Sequence, residues 1–137
     1  MILSETNFQP DTLLAFFGET FPERKWQFWD MNSDCAADIK PHMMGFYIET
    51  AVSKPYPLAI NLMESNEDLI SEYQTKIARA LSRTYQIKTV IDFTHPDHPY
   101  DPYYSLLYDK GDCFLVSDSL WEESEEFIII GPWDRLQ

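Results

Sequence analysis

Glycine and basic residues are both scarce in this chain of 137 residues, which has 4 Gly and only 10 Lys and Arg against 23 Asp and Glu. Loops that wrap a nucleotide depend on glycine, because it lets the backbone approach a phosphate closely. A formal net charge of −13 also repels phosphate backbones and anionic lipid. The sequence therefore argues against direct nucleic-acid binding and against a membrane-surface role.

Motifs of enzymes and of exported proteins are also missing. There is no G-x-S-x-G elbow, no C-x-x-C pair and no glycine-rich phosphate loop. No Lys or Arg precedes Arg24, and no apolar run approaches the roughly 18 residues that span a bilayer. The two cysteines, Cys35 and Cys113, have no closely spaced partner, so we expect separate reduced thiols in a cytoplasmic protein.

Apolar and aromatic residues are abundant by contrast. Hydrophobic residues make up 45% of the chain and aromatic residues 15%, with 4 Trp, 8 Tyr and 9 Phe. A chain of this length can bury a real core without metal or disulfide support. We expect a single domain that covers residues 1–137, and composition gives no indication of its oligomeric state.

The clearest structural signal is a long amphipathic helix over residues 65–85. Its apolar residues recur at three-and-four spacing: Leu69, Ile70, Tyr73, Ile77, Ala80, Leu81 and Tyr85. Ser65 lies three residues before Asp68, which resembles a capping box at the start of the helix. Lys76, Arg79 and Arg83 suit its negative end.

Shorter elements flank this helix. Pro10 suits the first position of a short helix after a cap at Gln9, and Gly18 suits its end. Strand patterns follow at residues 25–31, 43–52, 58–64, 87–93, 104–108, 113–117 and 127–130. Residues 109–112 suit a hairpin turn, with Gly111 at a positive φ.

These elements predict an α+β fold. We expect about five to six of the seven strand patterns to form a mostly antiparallel sheet, in the order α-β-β-β-α-β-β-β, with the long helix packed across one face. A small barrel crossed by a helix is the alternative.

One polar cluster contains residue types that bind divalent metals: Asp92, His95, Asp97, His98 and Asp101. His95 and His98 lie in a loop stiffened by proline, and His42 is distant in sequence. The interpretation that we favour is an ordinary surface loop. We therefore expect no cofactor, no metal and no catalytic residues, while a small metal-dependent hydrolase built on this loop stays an alternative.

The surface character points to protein binding. Carboxylates steer the approach of a basic partner, and exposed aromatic side chains supply contact energy. The candidate partner-binding residues are Tyr100, Tyr103, Tyr104, Trp121, Glu122, Glu123, Glu125, Glu126 and Trp133.

In size and acidity the chain is similar to immunity proteins and antitoxins, which neutralise toxic enzymes such as nucleases. This similarity concerns physical type only, because no motif of these proteins is present. We expect a protein that inhibits a basic partner, and an adaptor or assembly subunit without an inhibitory role is a further alternative.

Overall fold

The structure, a computed structural model, describes residues 1–30, 43–50, 52–64, 66–124 and 126–133, without the side chain of Glu122. Cys35, His42 and the proposed cap Ser65 lie outside this part. The elements in chain order are β1 (Ile2–Ser4), α1 (Pro10–Thr20), β2 (Lys25–Phe28), β3 (Met43–Thr50), β4 (Leu58–Met63), α2 (Glu67–Tyr85), β5 (Lys88–Asp92), β6 (Tyr104–Asp109), β7 (Asp112–Ser117), α3 (Trp121–Ser124) and β8 (Ile128–Pro132).

All the described strands belong to one sheet in the order β2-β3-β4-β1-β5-β6-β7-β8. Only β2 and β3 are parallel, and the other neighbours are antiparallel. The predicted α+β class is confirmed, whereas the predicted count of five to six strands is wrong because there are eight. The described sheet is open, with β2 and β8 as its edges, and is not the small barrel that was the alternative.

Strand β1 and the short helix α3 are the elements that the sequence prediction missed, and β1 lies inside the sheet. Ile2 pairs with Ile60 of β4 on one side and with Ile91 of β5 on the other. Three residues are too few for a pattern of alternation to be recognised, so only long-range pairing defines this strand. The chain therefore begins with a strand, not with the helix of the predicted order.

Helix α2 is the predicted long helix, and it ends at Tyr85 as expected. Its cap is Asn66, whose Oδ1 accepts the backbone N–H of Asp68 at 3.0 Å. Ile77 and Leu81 are fully buried in the main core, on the face that the spacing predicted. Its C-terminal cap is Gln86, which adopts the left-handed conformation with φ 56°.

Helix α1 starts as predicted, with Gln9 as its cap and Pro10 as its first residue. The predicted end at Gly18 is wrong, since the helix continues to Thr20 and its cap is Phe21. Phe21 is buried and packs against Trp26 with ring centroids 6.1 Å apart. Gly18 weakens the helix by only about 1 kcal/mol. The helix therefore continues past Gly18 and ends where Phe21 is buried.

The sheet has an apolar core on each face. Helices α1 and α2 both contribute to the larger core, which includes Ile2, Ile91 and Leu106 from the sheet. The smaller core contains the alternate residues Leu3, Val90 and Leu107 together with Tyr56, and the side chains packed against it are Phe114, Trp121 and Phe127. Alternation along each strand thus divides the sheet into a helix face and an opposite face.

The β6–β7 hairpin is tied to the end of α2 by one buried hydroxyl. The Oγ atom of Ser82 donates to the carbonyl of Ile87 at 2.7 Å and accepts the N–H of Gly111 at 3.0 Å. Lys110 and Gly111 have φ of 53° and 90°, which fits a type I′ turn. The predicted hairpin is confirmed, and its turn is anchored to the helix.

No helix in the described part of the chain is long and apolar enough to cross a membrane.

The central position of β1 predicts a large effect of its truncation. Ile2→Ala should lower the free energy of unfolding by about 2–5 kcal/mol, because it leaves a cavity where the side chain is 0% exposed. The matched control Ile129→Ala truncates a side chain that is 60% exposed, and should change it by less than about 0.5 kcal/mol. Denaturant titration measures both, and equal costs would contradict the placement of β1.

Candidate interaction surface

Edge strand β8 exposes three consecutive isoleucines. The exposed fractions are 44% for Ile128, 60% for Ile129 and 54% for Ile130. In the described sheet β8 pairs only with β7. Contiguous exposed apolar residues at a sheet edge are unusual in a soluble protein and typical of a binding site.

Two glutamates from the predicted set lie directly before this strand. Glu123 belongs to α3 and Glu126 to the connection that follows, and both side chains are exposed. We call the surface formed by Glu123, Glu126 and Ile128–Ile130 the acidic edge. The side chain of Glu122 and the whole of Glu125 lie outside the described part of the structure.

Trp121 fixes the position of α3 on the sheet. Its backbone N–H donates to the carbonyl of Asp118 at 2.9 Å, which starts the short helix. Its ring lies 4.7 Å from that of Phe127 and 6.0 Å from that of Tyr56, measured between centroids. The side chain is half-buried on the opposite face of the sheet, so it supports the acidic edge.

Trp133 lies at the other end of β8 and is only 9% exposed. Its ring packs against Phe93 and His95, each at 5.1 Å between centroids, and its backbone N–H donates to the carbonyl of Cys113. It belongs to the core on the helix face. Trp121 and Trp133 therefore lie on opposite faces, and aromatic packing at both ends holds β8 in place.

The tyrosines of loop 94–103 form a second exposed group at the same end of the sheet. Tyr100 is 98% exposed and Tyr103 is 54% exposed, while Tyr104 stacks on His98 at 5.9 Å. Tyr104 pairs with Ser117, which in turn pairs with Ile128 at the start of the acidic edge. The structure thus brings these two groups of predicted residues to one end of the molecule.

The surroundings of His95 are those of a buried side chain that is hydrogen-bonded to the backbone. It is 8% exposed, and its Nδ1 atom accepts the backbone N–H of Asp97 at 3.1 Å. Within the described residues there is no group of three or more His, Cys, Asp and Glu side chains that could hold a metal ion. His42 lies outside them.

A cleft of about 710 Å³ lies between α2 and the strands β7 and β8. Its lining includes Lys76, Arg79, Tyr108 and Cys113. Burial raises the pKa of the Cys113 thiol, although a hydrogen bond with Tyr108 and the charge of Arg79 act in the opposite direction. Burial likewise raises the pKa of Tyr108. Neither group is activated as a nucleophile at neutral pH.

No family model, curated protein or solved structure matches this chain.

The sequence prediction included the glutamates but missed the exposed isoleucines. Ile128–Ile130 were assigned to a final strand without a functional role. A run of three β-branched residues without alternation, followed by Gly131 and Pro132, is compatible with a buried strand as well as with an edge. Proline favours the edge because it cannot donate to a neighbouring strand, and this was the available signal.

The environment of Cys113 predicts slow thiol modification. In a Cys35→Ser background, the rate of reaction with a thiol reagent should inflect at a pH above the ordinary thiol pKa of 9.0. Arg79→Gln should raise the pKa of Cys113 further and slow the reaction at fixed pH, because it removes a nearby positive charge. Arg83→Gln is the control. Reaction as fast as in denaturant would contradict the burial of this thiol.

Asp118 predicts a pH-dependent effect on stability. Burial raises its pKa above 3.8, Asp92 and Asp101 act in the same direction, and a hydrogen bond from Ser105 opposes them. The folded state therefore retains this proton longer than the unfolded state, so the contribution of Asp118 to stability is lost as pH rises through its folded pKa. Asp118→Asn has no carboxyl to ionise at this position, so the loss of stability with rising pH should disappear.

Urea titrations at pH 3 and pH 7, which lie below and above the ordinary carboxyl pKa of about 4, measure this effect. We expect Asp118→Asn to gain stability relative to wild type at the higher pH, because only the wild type has to ionise a desolvated carboxyl. The same difference between the two proteins at both pH values would contradict the assignment.

Proposed function

We propose that this protein is a small acidic binding protein that captures a basic protein partner and inhibits it, in the manner of an immunity protein or antitoxin. One observation carries the proposal: exposed apolar side chains and exposed carboxylates lie together in the acidic edge. Apolar contacts that exclude water supply most of the affinity of an interface, and charges around them steer association.

The charge of the whole chain supports the same partner class. A net charge of −13 produces a field that attracts cationic proteins and repels anionic ones. Glu123 and Glu126 place part of that charge beside the isoleucines of β8. A basic partner therefore meets the acidic edge with favourable electrostatics at every stage of its approach.

The exposed tyrosines of loop 94–103 extend this proposed interface. Tyr100 and Tyr103 are exposed at the same end of the sheet, and tyrosine gives a large contact area at a low cost in side-chain entropy. Trp121 contributes indirectly, by holding α3 against the sheet. Trp133 is buried, so we assign it a role in stability and not in contact with the partner.

The proposal places the protein in the cytoplasm. Cys113 is a free thiol in the structure, as expected in a reducing compartment.

Whether capture also inhibits the partner separates an inhibitor from an adaptor. An inhibitor abolishes the activity of the partner when added at equal concentration, whereas an adaptor leaves that activity unchanged.

Charge reversal tests the assigned surface. The partner is first isolated by affinity capture from native lysate at low salt, and its association rate is then measured by surface plasmon resonance. We expect Glu123→Lys with Glu126→Lys to slow association about tenfold or more at low salt, because steering is lost. The difference should shrink at physiological salt, where the Debye length is about 8 Å.

The control makes the same change in net charge far from β8. Glu19 lies on α1 and Glu49 on β3, and both are exposed. Glu19→Lys with Glu49→Lys should slow association much less. If both double variants slow it equally, the net charge acts without a defined acidic edge, and if neither does, the proposal fails.

A further inference from the structure

The two edges of the described sheet differ in their protection. Edge strand β2 starts with Lys25 and directs Trp26 and Phe28 into the core, where they pack on Phe17 and Phe46. A lysine and an alternating pattern are common ways in which proteins prevent another strand from pairing with an edge. The edge at β2 is therefore protected against pairing with another strand.

Strand β8 is protected against such pairing over only part of its length. Pro132 lacks an N–H group, and the pairing with β7 is irregular between Leu115 and Val116. Ile128–Ile130 have neither a proline nor a charged residue among them. Along these residues the backbone groups that point away from β7 have no strand partner in the described structure.

The side chains of this segment divide between the two faces. Ile128 lies opposite Ser117, and Ile129 lies opposite Val116, which belongs to the core under Trp121. Ile128 is therefore on the helix face and Ile129 on the face that carries α3. A strand placed beside β8 would meet Ile128 on one face, and on the other Ile129 followed by the carboxylate of Glu123 from α3.

We propose that β8 accepts an extended segment of the basic partner as an additional strand. This inference rests on the proposed function and specifies its recognition mode. The segment alternates apolar and basic side chains, because consecutive residues of a strand point to opposite faces. Its backbone hydrogen bonds to β8 supply affinity, and its Lys or Arg side chains reach Glu123 and Glu126.

A second copy of this chain fits the same edge less well. Pairing of β8 with itself about a two-fold axis places each acidic edge against the other. The glutamates of both copies would then approach one another, between molecules that each have a net charge of −13. Like-charge contacts of this kind cost several kcal/mol, whereas a basic segment turns the same carboxylates into attractive contacts.

Hydrogen exchange with a peptide probe tests strand addition. The probe is a peptide of about six residues, the usual length of a strand, with alternating Val and Lys. Backbone amides within Ile128–Gly131 that point outward should exchange rapidly in the free protein and at least about tenfold more slowly with saturating peptide. The same peptide with Glu in place of Lys is the charge control and should give no protection.

Backbone methylation separates strand pairing from side-chain contact. Two further Val/Lys peptides have N-methyl groups at alternate residues, one on the odd and one on the even positions. Only one set of N–H groups faces β8 in an added strand, so one methylated peptide should lose protection and the other should keep it. Equal binding of both peptides, without amide protection, would overturn strand addition.

The remaining outcomes distinguish this inference from the proposed function. Val/Lys binding that depends on Glu123 and Glu126 but leaves the β8 amides unprotected would overturn strand addition alone, and capture of a basic partner would stand. Equal protection by the Lys and Glu peptides would overturn the preference for a basic partner. Protection of β8 without peptide, together with dimers in sedimentation, would identify a second copy as the occupant.

Discussion

The pairing of β1 with β4 and β5 is the constraint on which the sheet depends. β4 and β5 are both antiparallel to β1, so they run parallel to each other and are connected by α2. Without a strand between them they would lie about 10 Å apart, twice the usual strand spacing. Ile2 and Leu3 belong to the cores on opposite faces, so this short strand also connects the two cores.

The acidic edge depends on local packing at both ends of β8. Phe127 joins Trp121 and Tyr56 on one face, and Trp133 enters the core on the other. The exposed middle of the strand is therefore held in an extended conformation by the chain's own packing. Preorganisation of this kind reduces the entropy lost on binding, and makes a short contact segment more effective.

The sequence predicts those parts of the fold that depend on interactions between residues close together in the chain. The periodicity of α2 and the glycine of the β6–β7 turn correctly predicted a helix and a hairpin, because each depends on neighbours in sequence. β1 depends on the distant partners Ile60 and Ile91, and Phe21 at the end of α1 packs against the distant Tyr73. For the same reason the sequence does not predict which isoleucines are exposed beside the glutamates of the proposed site.

The position of β1 has a consequence for the order of folding. Ile2 is synthesised before both of its partners, Ile60 and Ile91, so β1 cannot pair on both sides until β5 has left the ribosome. Contacts between residues so distant in sequence slow folding, because the intervening chain must first be ordered. During that interval the edge of β1 that later pairs with β5 exposes unpaired backbone, which would attract other chains. The net charge of −13 opposes such contacts, since like-charged chains repel one another.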